Sequence, residues 1–213
     1  MKQLNLDTNS RATLAQRILK TLENATQDST AQLRGSLAEG YADAYSDIDV
    51  FWEVPDELFQ TSITHVADIL STVLPLESVR SAPDFQNSDK RRLIFVQFEG
   101  VPLFWRTDID IFALSVHRDF EYDLCNEAAR GNDWSLTHSA LMNTIAAVKA
   151  LLRNKEDTAR QLLIRGFERV GLTTPKGSLQ ELILELSSSI AEMDPAKAAL
   201  SHRIAELHQQ VFG

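Results

Sequence analysis

The chain is poor in cysteine, in clusters of basic residues and in long apolar runs. Its 213 residues include one cysteine, Cys125, which excludes an internal disulfide and a cysteine-rich zinc site. No apolar run approaches the roughly 20 residues that cross a bilayer. The first residues also lack the apolar stretch of a signal peptide. These absences predict a cytoplasmic protein that does not contact membranes.

Basic charge is also scarce, since 21 lysines and arginines face 30 aspartates and glutamates, for a net charge of -9. Affinity for the phosphate backbone of nucleic acids comes mainly from cationic contacts, so a general DNA or RNA binder is not expected. The excess is uneven: residues 1–130 hold 12 basic and 21 acidic side chains, whereas residues 131–213 hold nine of each. All the surplus negative charge therefore lies in the first part of the chain.

The hydrophobic pattern predicts an α+β first part, residues 1–130, and a helical second part, residues 131–213. With 44% hydrophobic residues the chain can build a core. Asp47–Val54 alternates like a strand, and two β-rich runs around Gly100 are typical of a hairpin. Helical periodicity occurs in a first segment ending near Asn24 and in a second that Pro55-Asp56 opens. It recurs in four later segments: 135–152, 158–170, 179–193 and 196–211.

Candidate helix caps accompany several of these segments. Thr8 or Asn9 precedes the first apolar helix, and Asp56 follows a proline at the start of the next. Ser178 and Glu181 have the spacing of a capping box. These positions predict where the helices begin.

Two Asp-x-Asp pairs, Asp47/Asp49 and Asp108/Asp110, are the most notable polar features. Each lies on a β-rich run, where side chains two apart share a face. Aspartate is depleted in strands and like charges side by side repel, so exposed strand faces explain these pairs poorly. They are candidates for a shared chemical site.

A glycine-serine pair precedes the first acidic pair at a defined distance. Gly35 and Ser36, ten intervening residues, and then Asp47 and Asp49 form the pattern Gly-Ser-x10-Asp-x-Asp. Chance expectation for this pattern is below about 0.01. Carboxylates at this spacing suit Mg²⁺, which prefers oxygen ligands shared with nucleotide phosphates. Phosphoryl or nucleotidyl transfer is therefore the chemistry that the pattern favours.

The stretch from Gly35 to Val50 resembles the signature of the DNA polymerase beta-like nucleotidyltransferase superfamily. Within it, the chain is most similar to the small bacterial nucleotidyltransferases that adenylylate aminoglycoside and lincosamide antibiotics. The Gly-Ser pair, the second glycine and Ser-Asp-x-Asp match in order and spacing. The superfamily's third acid lies on a later strand, and Thr107-Asp108-Ile109 matches its pattern better than Asp110 does.

The resemblance implies a catalytic domain with a mixed sheet and flanking helices in residues 1–130, followed by a helical bundle in residues 131–213. It also implies two Mg²⁺ ions and ATP or another NTP as co-substrate. The implied metal ligands are Asp47, Asp49 and Asp108. The residues expected to contact the nucleotide are Gly35, Ser36, Ser46 and Lys149. Ser46 also suits a role in buttressing its loop, and Lys149 suits the edge of a core face.

The reaction that the resemblance implies is attack by an acceptor hydroxyl on the nucleotide α-phosphate, with loss of pyrophosphate. Asp110, Asp108 itself and a carboxylate of the helical part are the candidate general bases. The acceptor is expected to be a small hydroxylated molecule, and the acidic first part favours a cationic one such as an aminoglycoside antibiotic. Apolar residues on the last helices fit an internal bundle or a homodimer.

Leu37 and Glu39 depart from the superfamily pattern, because many members have arginines at these positions. The departure motivates a non-catalytic alternative, a degenerate nucleotide- or partner-binding module. A second alternative is a nucleotidyltransferase that modifies protein or tRNA, including toxin–antitoxin types. The lack of a basic stripe argues against tRNA but not against a protein target.

Overall fold

A computed structural model describes Leu4 and residues 6–213. These residues divide between two compact units, one formed by Leu6–Trp134 and the other containing Ser135–Gly213. Within them, no helix is long and apolar enough to span a bilayer. The assignment of separate functions to residues 1–130 and 131–213 stays a prediction.

The first unit is built on a mixed five-stranded sheet in the order β1-β2-β5-β4-β3. Its strands are β1 (Thr30–Leu33), β2 (Ile48–Val54), β3 (Leu76–Ser81), β4 (Arg91–Phe98) and β5 (Thr107–Ala113). β2 and β5 run parallel, and the other neighbouring pairs are antiparallel. The central parallel pair therefore brings together the two strands that carry the acidic residues.

Two long helices, α1 (Thr8–Ala25) and α3 (Asp56–Ser71), contact the sheet. The apolar side chains of β2 that alternate with its acidic ones, from Ile48 to Val54, are fully buried. This alternation, with a period of two residues, is what separates an apolar face from a polar one. The polar face is left to carry the candidate site, together with the short helix α2 (Gly35–Glu39).

Two of the predicted caps are wrong. Asp7 caps α1, because its carboxylate accepts from the backbone N–H of Asn9, so neither Thr8 nor Asn9 is the cap. Asp56 is the first residue of α3, and its carboxylate accepts from the backbone N–H and the hydroxyl of Ser115 instead. At α3, a partner distant in the chain thus takes the carboxylate that local spacing assigns to the cap.

The predicted hairpin is confirmed as an antiparallel pair of β4 and β5. The connection between them is longer than the predicted turn, because Val101, Leu103, Phe104 and Trp105 are buried and leave the strand register. β3 was not predicted from the sequence, and its side chains are mostly half-buried. An edge strand of this kind has a weak alternation signal.

The second unit is helical, as predicted. Its long helices are α4 (Leu136–Leu152), α5 (Glu156–Arg169), α6 (Leu179–Met193) and α7 (Ala198–Phe212). The capping box of Ser178 and Glu181 is confirmed at the start of α6. The prediction of an α+β chain with a mixed sheet first and helices after it is therefore confirmed.

Candidate metal and nucleotide site

Asp49 and Asp108 lie side by side at the centre of the sheet. They are register partners in the parallel pair of β2 and β5, so their side chains share the polar face. The same row continues on β4, where Phe95 is the partner of Asp108, and on β3, where Arg80 is the partner of Phe95. Sheet register thus brings together two of the three acids that the resemblance implies as metal ligands.

The electrostatics of Asp49 place Asp47 in the same cluster. Burial, together with the negative charges of Asp47 and Asp108, raises the pKa of Asp49 to about 6. Arg34 and Arg106 act in the opposite direction. Three carboxylates therefore influence one another, and the surrounding arginines offset only part of their repulsion.

Asp47 ends a loop that is held by two side chains from outside it. Arg11 of α1 donates to the carbonyl oxygens of Asp43 and Ser46, at 2.6 and 2.9 Å. The indole N–H of Trp105 donates to the carbonyl of Ala44 at 2.9 Å. Because both anchors are largely buried, they fix the backbone immediately before Asp47.

Gly35 approaches Asp49 closely. It adopts a left-handed conformation with φ of 60°, and a Cβ at this position would lie 3.0 Å from the Oδ2 atom of Asp49. The backbone N–H of the preceding Arg34 also donates to the carbonyl of Asp49 at 2.9 Å. Glycine is favoured here, because other residues are strained in this conformation and a Cβ would require the Asp49 carboxylate to shift.

Arg106 occupies both oxygens of Asp108. Its Nε and Nη2 atoms donate to Oδ1 and Oδ2, an ion pair in which both side chains are mostly buried. Burial alone would lower the pKa of Arg106, but the charges of Asp108, Asp47 and Asp49 raise it above its usual value. Arg106 thus acts as the counter-ion of the acidic cluster.

Asp110 is separated from this cluster by its own ion pair. Its carboxylate accepts from Nε and Nη2 of Arg91 at 3.3 and 3.2 Å, and only 1% of the residue is exposed. Arg34 lies 3.7 Å from the same carboxylate. A buried carboxylate that is already paired is poorly placed to take a proton from an acceptor, so its predicted role as a base stays a prediction that this geometry does not favour.

The other three residues that are predicted to contact the nucleotide lie in different structural environments. Ser36 is half-buried in α2, next to Gly35. Ser46 is buried, and its hydroxyl exchanges hydrogen bonds with Asp43, which matches the buttressing role. Lys149 is half-buried in the last turn of α4, in the helical unit. Contacts of these residues with a nucleotide remain predictions.

The chemistry of the donor set fits Mg²⁺. Asp47 and Asp108 both raise the pKa of Asp49, and the three carboxylates supply the hard oxygen ligands that this ion prefers. Among the described residues, however, no three His, Cys, Asp or Glu side chains are already arranged as a metal-binding group. Asp108 would have to leave Arg106 before all three acids could share an ion.

A cavity of about 600 Å³ opens beside Gly35 and Asp49. Its other walls include Arg34, Phe51 and Arg118. This volume lies in the usual range of small-molecule pockets. The acidic cluster therefore borders a space that can admit a ligand.

Sequence reasoning missed the arginines of the site. Arg106 had a local signal, since it lies two residues before Asp108 and so on the same face. Arg34 directly precedes the Gly-Ser pair, but no pattern assigned it a role. Arg11 and Arg118 had no signal, because only the tertiary structure brings them to the site.

Comparison with known proteins gives a loose structural likeness. No family model and no curated protein matches the chain. Among solved structures, a Cid1 structure described by its RNA terminal uridylyl transferase activity is 15% identical, with a TM-score of 0.40. The polymerase core of TRAMP, an RNA surveillance complex, is 12% identical with a TM-score of 0.38, and the GLD-2/RNP-8 complex is 11% identical with a TM-score of 0.35.

These matches cover 85%, 88% and 84% of this chain, and 65%, 59% and 76% of the Cid1, TRAMP and GLD-2 chains respectively. The chain thus spans less than two thirds of the Cid1 and TRAMP structures. The TM-scores are below 0.5, and these similarities carry no argument about the function of this chain. The similarity to antibiotic-modifying enzymes stays a prediction.

Proposed function

We propose that the protein is an NTP-dependent nucleotidyltransferase of the polymerase beta-like type, in which the first unit carries the catalytic residues. The observation that carries this proposal is the row in which Asp49 and Asp108 are register partners while Gly35 contacts Asp49. A motif match explains the residue types. The register shows in addition that Asp49 and Asp108, which are far apart in the chain, lie next to each other in the sheet.

Asp47, Asp49 and Asp108 would hold Mg²⁺ in this proposal. When bound, the ion would neutralise phosphate charge and stabilise the charge that develops on the attacking and leaving oxygens. Arg11 and Trp105 hold the loop before Asp47, so its carboxylate is pre-positioned. Pre-positioning reduces the reorganisation that ligand binding requires.

In the proposed reaction, the oxygen of an acceptor hydroxyl forms a bond to the α-phosphorus of ATP or another NTP. The bond from that phosphorus to the bridging oxygen of the β-phosphate breaks, and pyrophosphate leaves. The hydroxyl proton passes to a carboxylate; Asp108 could accept it only after Arg106 leaves its oxygens, while Asp110 is paired with Arg91. Gly35 and Ser36 would contact the phosphates.

The acceptor in this proposal is a small hydroxylated molecule. The surplus of acidic residues in the first part of the chain supports a cationic acceptor such as an aminoglycoside. A protein acceptor is the alternative within the same reaction. A panel of acceptors distinguishes the two classes, because a modified small molecule and a modified protein differ in mass.

A second candidate function is a non-catalytic nucleotide- or partner-binding module. One observation favours it: Arg106 occupies both oxygens of Asp108, the position that a catalytic ion would need. The two functions differ in whether Mg²⁺ displaces Arg106 from Asp108.

The experiment is a pyrophosphate-release assay with purified protein, Mg²⁺, labelled ATP and a panel of aminoglycosides, lincosamides and protein lysate. We expect release with at least one acceptor, and loss of at least 100-fold in Asp47→Asn and Asp49→Asn. Asp68→Asn, an exposed position on α3, is the matched control and should retain activity. Calorimetry that detects no NTP binding with Mg²⁺ or Mn²⁺ would exclude the catalytic function.

A further inference from the structure

The cavity beside the acidic cluster is lined by two arginines as well as by the carboxylates of Asp49 and Glu39. Arg34 enters it from the end of β1, and Arg118 enters it from the segment that follows β5. Both guanidinium groups stack on Phe51, at 5.1 and 5.3 Å from the ring centroid. The arrangement holds two positive charges over one aromatic ring, beside Gly35 and Asp49.

The guanidinium group of Arg34 has only a distant ion-pair partner within the described part of the protein. No described residue accepts a hydrogen bond from its guanidinium group, and its Nε atom is buried without a partner. Its ion pair with Asp110 spans 3.7 Å, and Asp110 already has the closer partner Arg91. A guanidinium group in this setting has hydrogen-bond donors available for a ligand.

Arg118 is held in place at a conformational cost. It and His117 both have positive φ, 56° and 50°, which is unfavourable for residues other than glycine. Glu53 and Gln32 accept hydrogen bonds from its Nη2 and Nη1 atoms, while its Nε atom is buried without a partner. Backbone strain of this kind is typical of residues that are positioned for a ligand.

We propose that Arg34 and Arg118 bind the phosphates of the NTP, in place of the arginines that are missing at Leu37 and Glu39. This proposal rests on the proposed function, since it assigns the cavity to the NTP. Guanidinium groups bind phosphate oxygens through paired, charge-assisted hydrogen bonds. The cavity places the two groups next to Gly35 and Asp49, where the phosphates must lie for the proposed reaction.

The test measures binding of ATP, inorganic tripolyphosphate and adenosine by calorimetry in the presence of Ca²⁺. Arg34→Met should weaken ATP and tripolyphosphate binding by about tenfold or more, because it removes a charge-assisted contact. Adenosine binding should change less than twofold, since adenosine has no phosphate. Arg34→Lys should recover part of the lost affinity because it retains the charge.

Arg118 is tested with its partner neutralised, so that a loss of folding is not mistaken for a loss of binding. Arg118→Met combined with Glu53→Gln should lose ATP affinity about tenfold relative to Glu53→Gln alone. Arg130→Met, which removes an exposed arginine paired with Asp84, controls for net charge and should bind normally. Circular dichroism confirms that each variant is folded.

Two outcomes would overturn the assignment, and they are distinguishable. If the wild-type protein binds ATP and both arginine variants bind it within twofold of their controls, the two arginines do not contact phosphate, while the proposed function survives. If the wild-type protein binds neither ATP nor tripolyphosphate, the proposed function fails and the assignment fails with it.

Discussion

Asp49 of β2 and Asp108 of β5 are register partners in a parallel strand pair. Neighbouring strands are roughly 4.8 Å apart, so two carboxylates on one face repel each other at close range. Arg106 offsets part of this repulsion through Asp108, and Arg34 lowers the proton affinity of Asp49. Repulsion within the acidic cluster therefore destabilises the folded protein. Removing one of its charges should have a measurable effect on stability.

The first prediction concerns the pH dependence of stability without metal. The folded-state pKa of Asp49 is about 6, above its ordinary value of 3.8, so the fold favours the protonated form. The unfolded chain therefore releases this proton first, and Asp49 reduces stability progressively as the pH rises from about 4 to about 6. Asp49→Asn should raise the melting temperature at pH 7.5 in EDTA by roughly 2–4 °C, equivalent to about 1 kcal/mol after solvent screening.

Thermal melts in EDTA across this pH range check the prediction. The advantage of Asp49→Asn should shrink steadily between pH 6 and pH 4. Asp68→Asn, at an exposed position, should follow the wild-type curve throughout. Equal melting temperatures of Asp49→Asn and wild type at pH 7.5 would contradict the prediction.

The second prediction compares two glycines that share a left-handed conformation. Gly35 has φ of 60° and Gly40 has φ of 79°, so alanine at either position should cost roughly 1 kcal/mol of stability. Only at Gly35 would the new Cβ meet Asp49, at 3.0 Å, because the space around Gly40 is open. Gly35→Ala should therefore also weaken binding of Mn²⁺ and ATP about tenfold.

Melting temperature and calorimetry separate the two effects. Gly40→Ala is the matched control, since it carries the same backbone strain without the contact. Similar melting temperatures with different ligand affinities are expected. If both alanine variants bind Mn²⁺ and ATP alike, the close approach of Gly35 to Asp49 has no functional role.

The third prediction concerns Arg106 as the counter-ion of the cluster. Arg106→Gln removes the cation that binds both oxygens of Asp108, so the metal-free protein should lose about 1–3 kcal/mol of stability. Because Arg106 then no longer competes for the oxygens of Asp108, Mg²⁺ should bind more tightly and raise the melting temperature more than in wild type.

Thermal melts with EDTA and with increasing Mg²⁺ measure both changes. Arg130→Gln serves as the control for charge, because Arg130 pairs with Asp84 at the surface. A Mg²⁺-dependent gain equal to or smaller than that of wild type would show that Arg106 does not compete with the ion for Asp108.

The fourth prediction concerns Asp110 as a structural residue. Arg91 and Asp110 form a buried ion pair with side chains only 7% and 2% exposed. Arg91→Met would leave the carboxylate of Asp110 without its closest partner, at a cost of about 3 kcal/mol. The neighbouring Lys90 pairs with Asp56 at the surface, so Lys90→Met should cost less than about 1 kcal/mol.

Urea denaturation of the two variants checks this contrast. The double variant Arg91→Met/Asp110→Leu should recover most of the lost stability, because it removes the stranded charge. A small effect of Arg91→Met, comparable to that of Lys90→Met, would contradict the structural role and favour Asp110 as a base.

The sequence by itself determined the types of element and the faces on which the acids lie. Alternation along β2 predicted that Asp47 and Asp49 oppose an apolar side, and a capping box predicted the start of α6. The spacing of the Gly-Ser pair predicted that Gly35 and Asp49 belong to one site. These features are local, because strand and helix periodicity act over a few residues.

Only the tertiary structure decided which charges the acids meet. β2 and β5 are adjacent although β3 and β4 lie between them in the chain, so the pairing of Asp49 with Asp108 depends on long-range packing. The pairing of β4 with β5 likewise assigns Arg91 to Asp110, whereas Arg106 lies only two residues from Asp108 in the chain. Coulomb energy depends on distance and burial, which no spacing in the sequence specifies. Asp108 and Asp110 lie on one strand two residues apart, and yet the fold gives them different arginine partners.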